Sequence, residues 1–104
     1  MSLGERVDRE MRVAHLLRIN SYMDIAIISM WTASPRADVT IGMVEASLRH
    51  KGPGASDEEL LQELRQLVSE GRGYYRDDKF PPAMGRMRVA HDKIALYIIQ
   101  LTGE

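Results

Sequence analysis

The chain contains no cysteine, which excludes disulfides and thiolate metal sites and suits a reducing compartment. It also lacks an excess of either charge. Fourteen basic residues stand against fifteen acidic ones, for a formal net charge of −1. No global field draws it to nucleic acid or an anionic membrane, so any such binding must come from a local patch. Long apolar runs are missing too. The longest, Tyr22 to Trp31, is interrupted by Asp24 and Ser29 and is about half the ~20 residues a membrane span needs. Residues Glu5 to Arg12 are too charged for a secretory leader. The expectation is a cytoplasmic protein with no membrane partner. Met1-Ser2-Leu3 would suit a cloning scar, and no function is placed there.

What is present reads as helix. The 104 residues are 44% apolar and 28% charged, a composition for one modest globular core, and residues 4–103 read as a single helical domain. Residues 5–33 hold neither Gly nor Pro. Met11, Ala14, Leu17, Tyr22, Ile25 and Ile28 recur there at roughly helical spacing, with a slip at Asn20-Ser21. A straight helix of that length would span ~43 Å, so it either breaks near Asn20-Ser21 or projects beyond its domain. Ser34-Pro35 or Asp38 starts a second helix, with Ile41, Val44 and Leu48 on one face, and Gly52-Pro53-Gly54 ends it. Ser56-Asp57-Glu58-Glu59 has the form of a capping box. A third helix then carries Leu60, Leu61, Leu64, Leu67 and Val68 and closes at Gly71. The last helix, from Arg86, aligns Met87, Ala90, Ile94, Tyr97, Ile98 and Leu101. The pentapeptide Met-Arg-Val-Ala-His occurs twice, at 11–15 and 87–91, in flanks that do not match. The two copies read as helices of similar surface chemistry rather than as a duplication.

Chemistry-bearing patterns are scarce. There is no nucleophile turn, no phosphate loop, and no metal-ligand spacing among His15, His50 and His91. The expectation is neither enzyme, cofactor nor metal site. Asp24 interrupts an apolar run and needs a partner or solvent, because an unpaired buried carboxylate is costly. Residues 71–85 lack helical periodicity and hold Tyr74, Tyr75 and Phe80 among Arg72, Arg76 and Lys79. Cations that grip phosphates, interleaved with aromatics, would suit nucleic acid. Tyr74-Tyr75-Arg76 and Lys79-Phe80 could pair as a short hairpin, cut by Pro81-Pro82.

Residues from about Ile25 to Asp77 resemble a winged helix-turn-helix. The resemblance is carried by a first helix ending at Ala33-Ser34-Pro35, a second of VTIGMVEASLRHKG, a third of SDEELLQELRQLVSEG, and Tyr74-Tyr75 where a wing strand would begin. It implies a mainly α fold of four to five helices with a β-hairpin wing over 72–80, the third helix entering the major groove. On that basis Gln62, Arg65, Arg72, Tyr75, Arg76 and Lys79 would contact double-stranded DNA in a homodimeric regulator. Tyr22, Met23, Ile27, Met30 and Trp31 would form the dimer face with Ile94, Tyr97 and Ile98. The alternative reading is a helical adaptor or assembly protein that binds no nucleic acid. Its interface would be the 22–31 segment, with residues 71–85 meeting a protein partner and methionines 23, 30, 43, 84 and 87 giving an adaptable surface.

Overall fold

A computed structural model describes residues 2–50 and 52–103. Four helices follow one another: α1 (Leu3–Trp31), α2 (Ala37–Arg49), α3 (Glu58–Arg76) and α4 (Phe80–Thr102), with a 3-10 turn at Ala55–Asp57 before α3. The fold is mainly α, and no strand occurs among the described residues. Each helix packs on two neighbours: α1 on α2 and α4, and α3 on α2 and α4. Arg12 meets Tyr97 and Asp24 meets His91, so α1 and α4 run antiparallel. Asp38 meets Arg76 and Leu48 meets Arg65, which makes α2 and α3 antiparallel too. The result is an up-down-up-down four-helix bundle.

Helix α1 does not break at Asn20-Ser21. Ser21 donates its hydroxyl to the Leu17 carbonyl at 2.9 Å, inside an uninterrupted helix. Ser2 starts α1 by accepting the Glu5 N–H. The molecule is accordingly long, 49 × 20 × 18 Å, and residues 2–8 are all exposed where α1 overhangs the bundle.

α2 ends at Arg49, shortly before Gly52, and Gly103 caps α4, but the other two stops carry no glycine. α1 ends in a Schellman motif: Ser34 N–H reaches the Ser29 carbonyl and Ala33 N–H the Met30 carbonyl. Its left-handed residue is Ala33, with φ of 53°. α3 ends the same way, Lys79 N–H on Tyr74 and Asp78 N–H on Tyr75, with Asp78 at φ of 58°. Gly71 and Gly73, read as a stop, lie inside α3. A Cβ at Gly71 would sit 3.3 Å from the Met87 side chain, so this glycine lets α3 and α4 approach closely.

The expected hairpin over 72–80 is therefore replaced by the end of α3, a tight turn and the start of α4. Tyr74, Tyr75 and Phe80 pack on the core from this arrangement. Pro81 and Pro82 do not cut a strand. They fall in the first turn of α4, where a missing N–H has no intrahelical partner to lose. The capping box also fails to form. Ser56 sits within the 3-10 turn and α3 has no side-chain cap bond, because Asp57 is turned inward. At the next helix start, Ser34 accepts the Arg36 N–H through Oγ and the Ala37 N–H through its carbonyl, and α2 begins at Ala37.

One core joins all four helices. α2 contributes Ile41, Val44 and Leu48, α3 contributes Leu61, Leu64 and Val68, and α4 contributes Met87, Ala90, Ile94, Ile98 and Leu101, as their periodicity predicts. Each such Leu, Ile, Val or Met contributes about 1.5–3 kcal/mol on full burial. α1 carries two apolar stripes. Its buried stripe is Leu16, Ile19, Met23, Ala26 and Met30, whereas Ala14, Leu17, Ile25 and Ile28 face solvent. Both stripes are apolar at 3-4 spacing, and periodicity alone cannot say which one turns inward.

Candidate interaction site

Three of the four cations expected to meet phosphates are engaged within the chain. Arg72 lies across α2 between two carboxylates. It holds Asp38 with two bonds of 3.2 Å and Glu45 with a third. Gly42 makes room, since a Cβ there would sit 2.9 Å from the guanidinium. Arg76 holds the same Asp38 at 2.9 and 3.2 Å. Hydrogen bonds from Arg76 and then Arg72 keep the Asp38 carboxyl far below its usual range. Arg65 donates to the Leu48 carbonyl at 2.6 Å and to Glu58, closing the C-terminal end of α2. These three arginines clasp α2 to α3. Gln62 is exposed, in a shallow depression it shares with Glu59, Glu63 and Gln66. Tyr75 is half-buried on the core, and Lys79 is exposed in the α3–α4 turn. The six residues do not form one basic face.

The expected dimer residues also divide. Met23, Met30, Ile94 and Ile98 are buried in the chain's own core, with Tyr22, Ile27 and Tyr97 packed against it. Trp31 alone among them stands out, 70% exposed beside Phe80. Of the five methionines read as an adaptable surface, only Met43 is exposed.

Two polar clusters tie α1 to its neighbours. Asp57, 1% exposed, accepts from Arg12 at 2.7 and 3.1 Å and from the Tyr97 hydroxyl at 2.6 Å. Burial pushes its carboxyl up. The bonds from Arg12 and Tyr97, with the Arg12 charge, outweigh that and hold it below the usual carboxylate range. Burial, then the Asp57 bond and charge, push the Tyr97 hydroxyl up. The second cluster resolves Asp24, whose carboxylate lies 2.7 Å from His91 Nε2. His15 does not join it. It lines an open groove of about 380 Å³ between α1 and α2 with Arg18, Tyr22, Met43, Ser47 and His50. Burial, reinforced by Arg18 and His50, lowers the His15 pKa against the opposing pull of Asp57. No group of three metal-ligating side chains occurs among the described residues.

Two rows of the remaining surface are largely apolar. On α1, Leu3, Val7, Ala14, Leu17, Ile25 and Ile28 are all exposed, Leu3 by 75% and Leu17 by 45%. Together with Glu10 and Ser21 they repeat at three and four residues, the spacing of a helix–helix seam. This seam lies opposite the buried stripe. α4 carries a shorter one of Val89, Asp92, Leu96 and Ile99, again exposed. Of these residues, Ala14, Leu17, Ile25 and Ile28 belong to the helically spaced series of the first helix, whereas Leu3, Val7, Val89, Leu96 and Ile99 lie outside it. The available signal was the second 3-4 series on α1, offset from Leu16, Ile19 and Met23. No family model, curated protein or solved structure matches the chain. No helix among the described residues is long and apolar enough to cross a membrane.

Proposed function

We propose that this protein is a helical assembly module that works as a homodimer through the outer face of its bundle, without nucleic-acid binding or catalysis of its own. The carrying observation is the pair of exposed apolar seams on α1 and α4. Isolated exposed apolar residues are ordinary, but a contiguous row at helix-pairing spacing marks a surface that another helix covers. The internal ion pairs of Arg65, Arg72 and Arg76 support the same reading. To grip phosphates, these arginines would first have to release carboxylates.

Sedimentation equilibrium tests the homodimer, with a dimer expected at micromolar concentration. A monomer at every concentration would remove this reading. A gel-shift on random duplex at low salt is expected to show no complex. A complex that weakens steeply with salt and with Arg76→Ala would restore the winged-helix regulator.

A further inference from the structure

The outer seam of α1 reads the same in both directions. From the N-terminal end it runs Leu3, Val7, Glu10, Ala14, Leu17, Ser21, Ile25, Ile28. In character that is two apolar residues, one polar, two apolar, one polar and two apolar. All eight side chains are exposed, and the helix that bears them is continuous. A palindromic row on a straight helix is its own complement under a two-fold axis, which is the condition for an isologous contact.

Resting on the assembly reading above, we infer that α1 pairs antiparallel with α1 of a second copy, about a two-fold axis between Ala14 and Leu17. In that register Leu3 meets Ile28 of the other copy, Val7 meets Ile25 and Ala14 meets Leu17. The polar pair Glu10 and Ser21 fall at one level, so neither carboxylate is set into apolar contacts. A shift of one seam position places Glu10 against apolar side chains and breaks the match. Beside the seam, Arg6 lies within one residue of the level of Asp24 from the other copy. Arg6 has no ion-pair partner among the described residues, and the Asp24 side chain, although bonded to His91, remains 52% exposed.

The register also accounts for the overhang. Residues 2–8 have no cover in their own bundle, yet Leu3 and Val7 would lie on Ile28 and Ile25 of the partner copy. The paired stretch from Leu3 to Ile28 spans ~38 Å. The α4 seam lacks this symmetry. Reversed on itself, Val89-Asp92-Leu96-Ile99 sets Asp92 against Leu96, so α4 is not the surface a second copy covers.

The absence of native cysteine allows a direct test. Leu3→Cys and Ile28→Cys variants are mixed and oxidised, and the sedimentation of the Leu17→Glu and Leu96→Glu variants is compared with that of the parent chain. The expected result is a 3-to-28 cross-link dominating over 3-to-3 and 28-to-28. Leu17→Glu should weaken association about 100-fold with helicity retained, because it sets a carboxylate in the seam. Leu96→Glu should leave association unchanged. A dimer that cross-links 3-to-3 and 28-to-28, fails to cross-link 3-to-28, or dissociates with Leu96→Glu but not with Leu17→Glu overturns this register and leaves the assembly reading standing. A parent chain monomeric at all concentrations overturns both.

Discussion

The same five residues, Met-Arg-Val-Ala-His, occupy α1 at 11–15 and α4 at 87–91, and the two copies are turned in opposite senses. Met11 is 54% exposed and Met87 is fully buried. Ala14 is exposed, whereas Ala90 sits in the core. Arg12 points inward to a buried carboxylate and Arg88 points to water. Val13 packs on the core and Val89 does not. Both copies are helical, so local sequence decided the backbone. It did not decide the rotation. The neighbours did: in α1 the buried flanking positions are Leu16 and Ile19, and in α4 they are Ala83, Met84 and Ile94. A helix turns the face whose summed burial is greatest, and five residues are too few to outvote their flanks.

The contrast can be broken first at the arginines. Arg12→Ala strands the buried Asp57 carboxylate and is expected to destabilise by about 3–5 kcal/mol. Arg88→Ala should stay within about 0.5 kcal/mol. Urea melts of the two variants measure the difference. A small effect at Arg12 would mean that Asp57 finds water instead. The pH dependence sharpens the same point. Asp57 and Asp38 have folded pKa values below their unfolded ones, so the native state binds fewer protons in the acid range. Their contribution is present above an unfolded value of about 3.9 and is lost as pH falls through the lower folded values. Asp57→Asn should lower stability at neutral pH and flatten that acid limb.

Next come the methionines. Met87→Ala opens the core between α3 and α4 and should cost about 2–5 kcal/mol, against about 0.5 kcal/mol or less for Met11→Ala in the monomer. Thermal melts at low protein concentration separate this from any effect on association.

The histidines give the smallest contrast. The His15 pKa is lowered, chiefly by burial, so the unfolded chain takes up a proton first. Stability should fall as pH drops below the unfolded value of about 6.5 towards the lower folded one. His15→Gln should remove that step, and a step unchanged by the substitution would assign it to another group. His91 faces Asp24 with its side chain 29% exposed. Its replacement by Ala should cost less than about 1 kcal/mol, the range of an exposed pair.

Much of the fold was legible along the chain. The inward faces of α2, α3 and α4 follow from Ile41, Val44 and Leu48, from Leu61 and Leu64, and from Met87 and Ile94. The need of Asp24 for a partner was legible as well, and His91 meets it. The stretch 71–85 was not. Three glycines and two prolines in a short span suggest a break, yet Gly71 serves a helix crossing and the prolines serve a helix start. The true stops, Ala33 and Asp78, carry ordinary side chains in a conformation that favours glycine. The candidate surface was half legible. The outer row of α1 was visible as a periodic series, but spacing alone does not say whether such a row turns to the core or to solvent.

By itself, then, the sequence determined that this protein is helical, where three of its four helices turn their apolar faces, and that no thiol chemistry enters. Those properties belong to single segments, in which residue spacing and side-chain type act over one or two turns. The tertiary structure decided which of two apolar stripes on α1 is core, how far α3 runs, and whether Arg65, Arg72 and Arg76 face solvent or carboxylates. Those outcomes depend on partners distant in the chain, as Asp38 is from Arg72 and Asp57 from Arg12, and no local pattern encodes who those partners are.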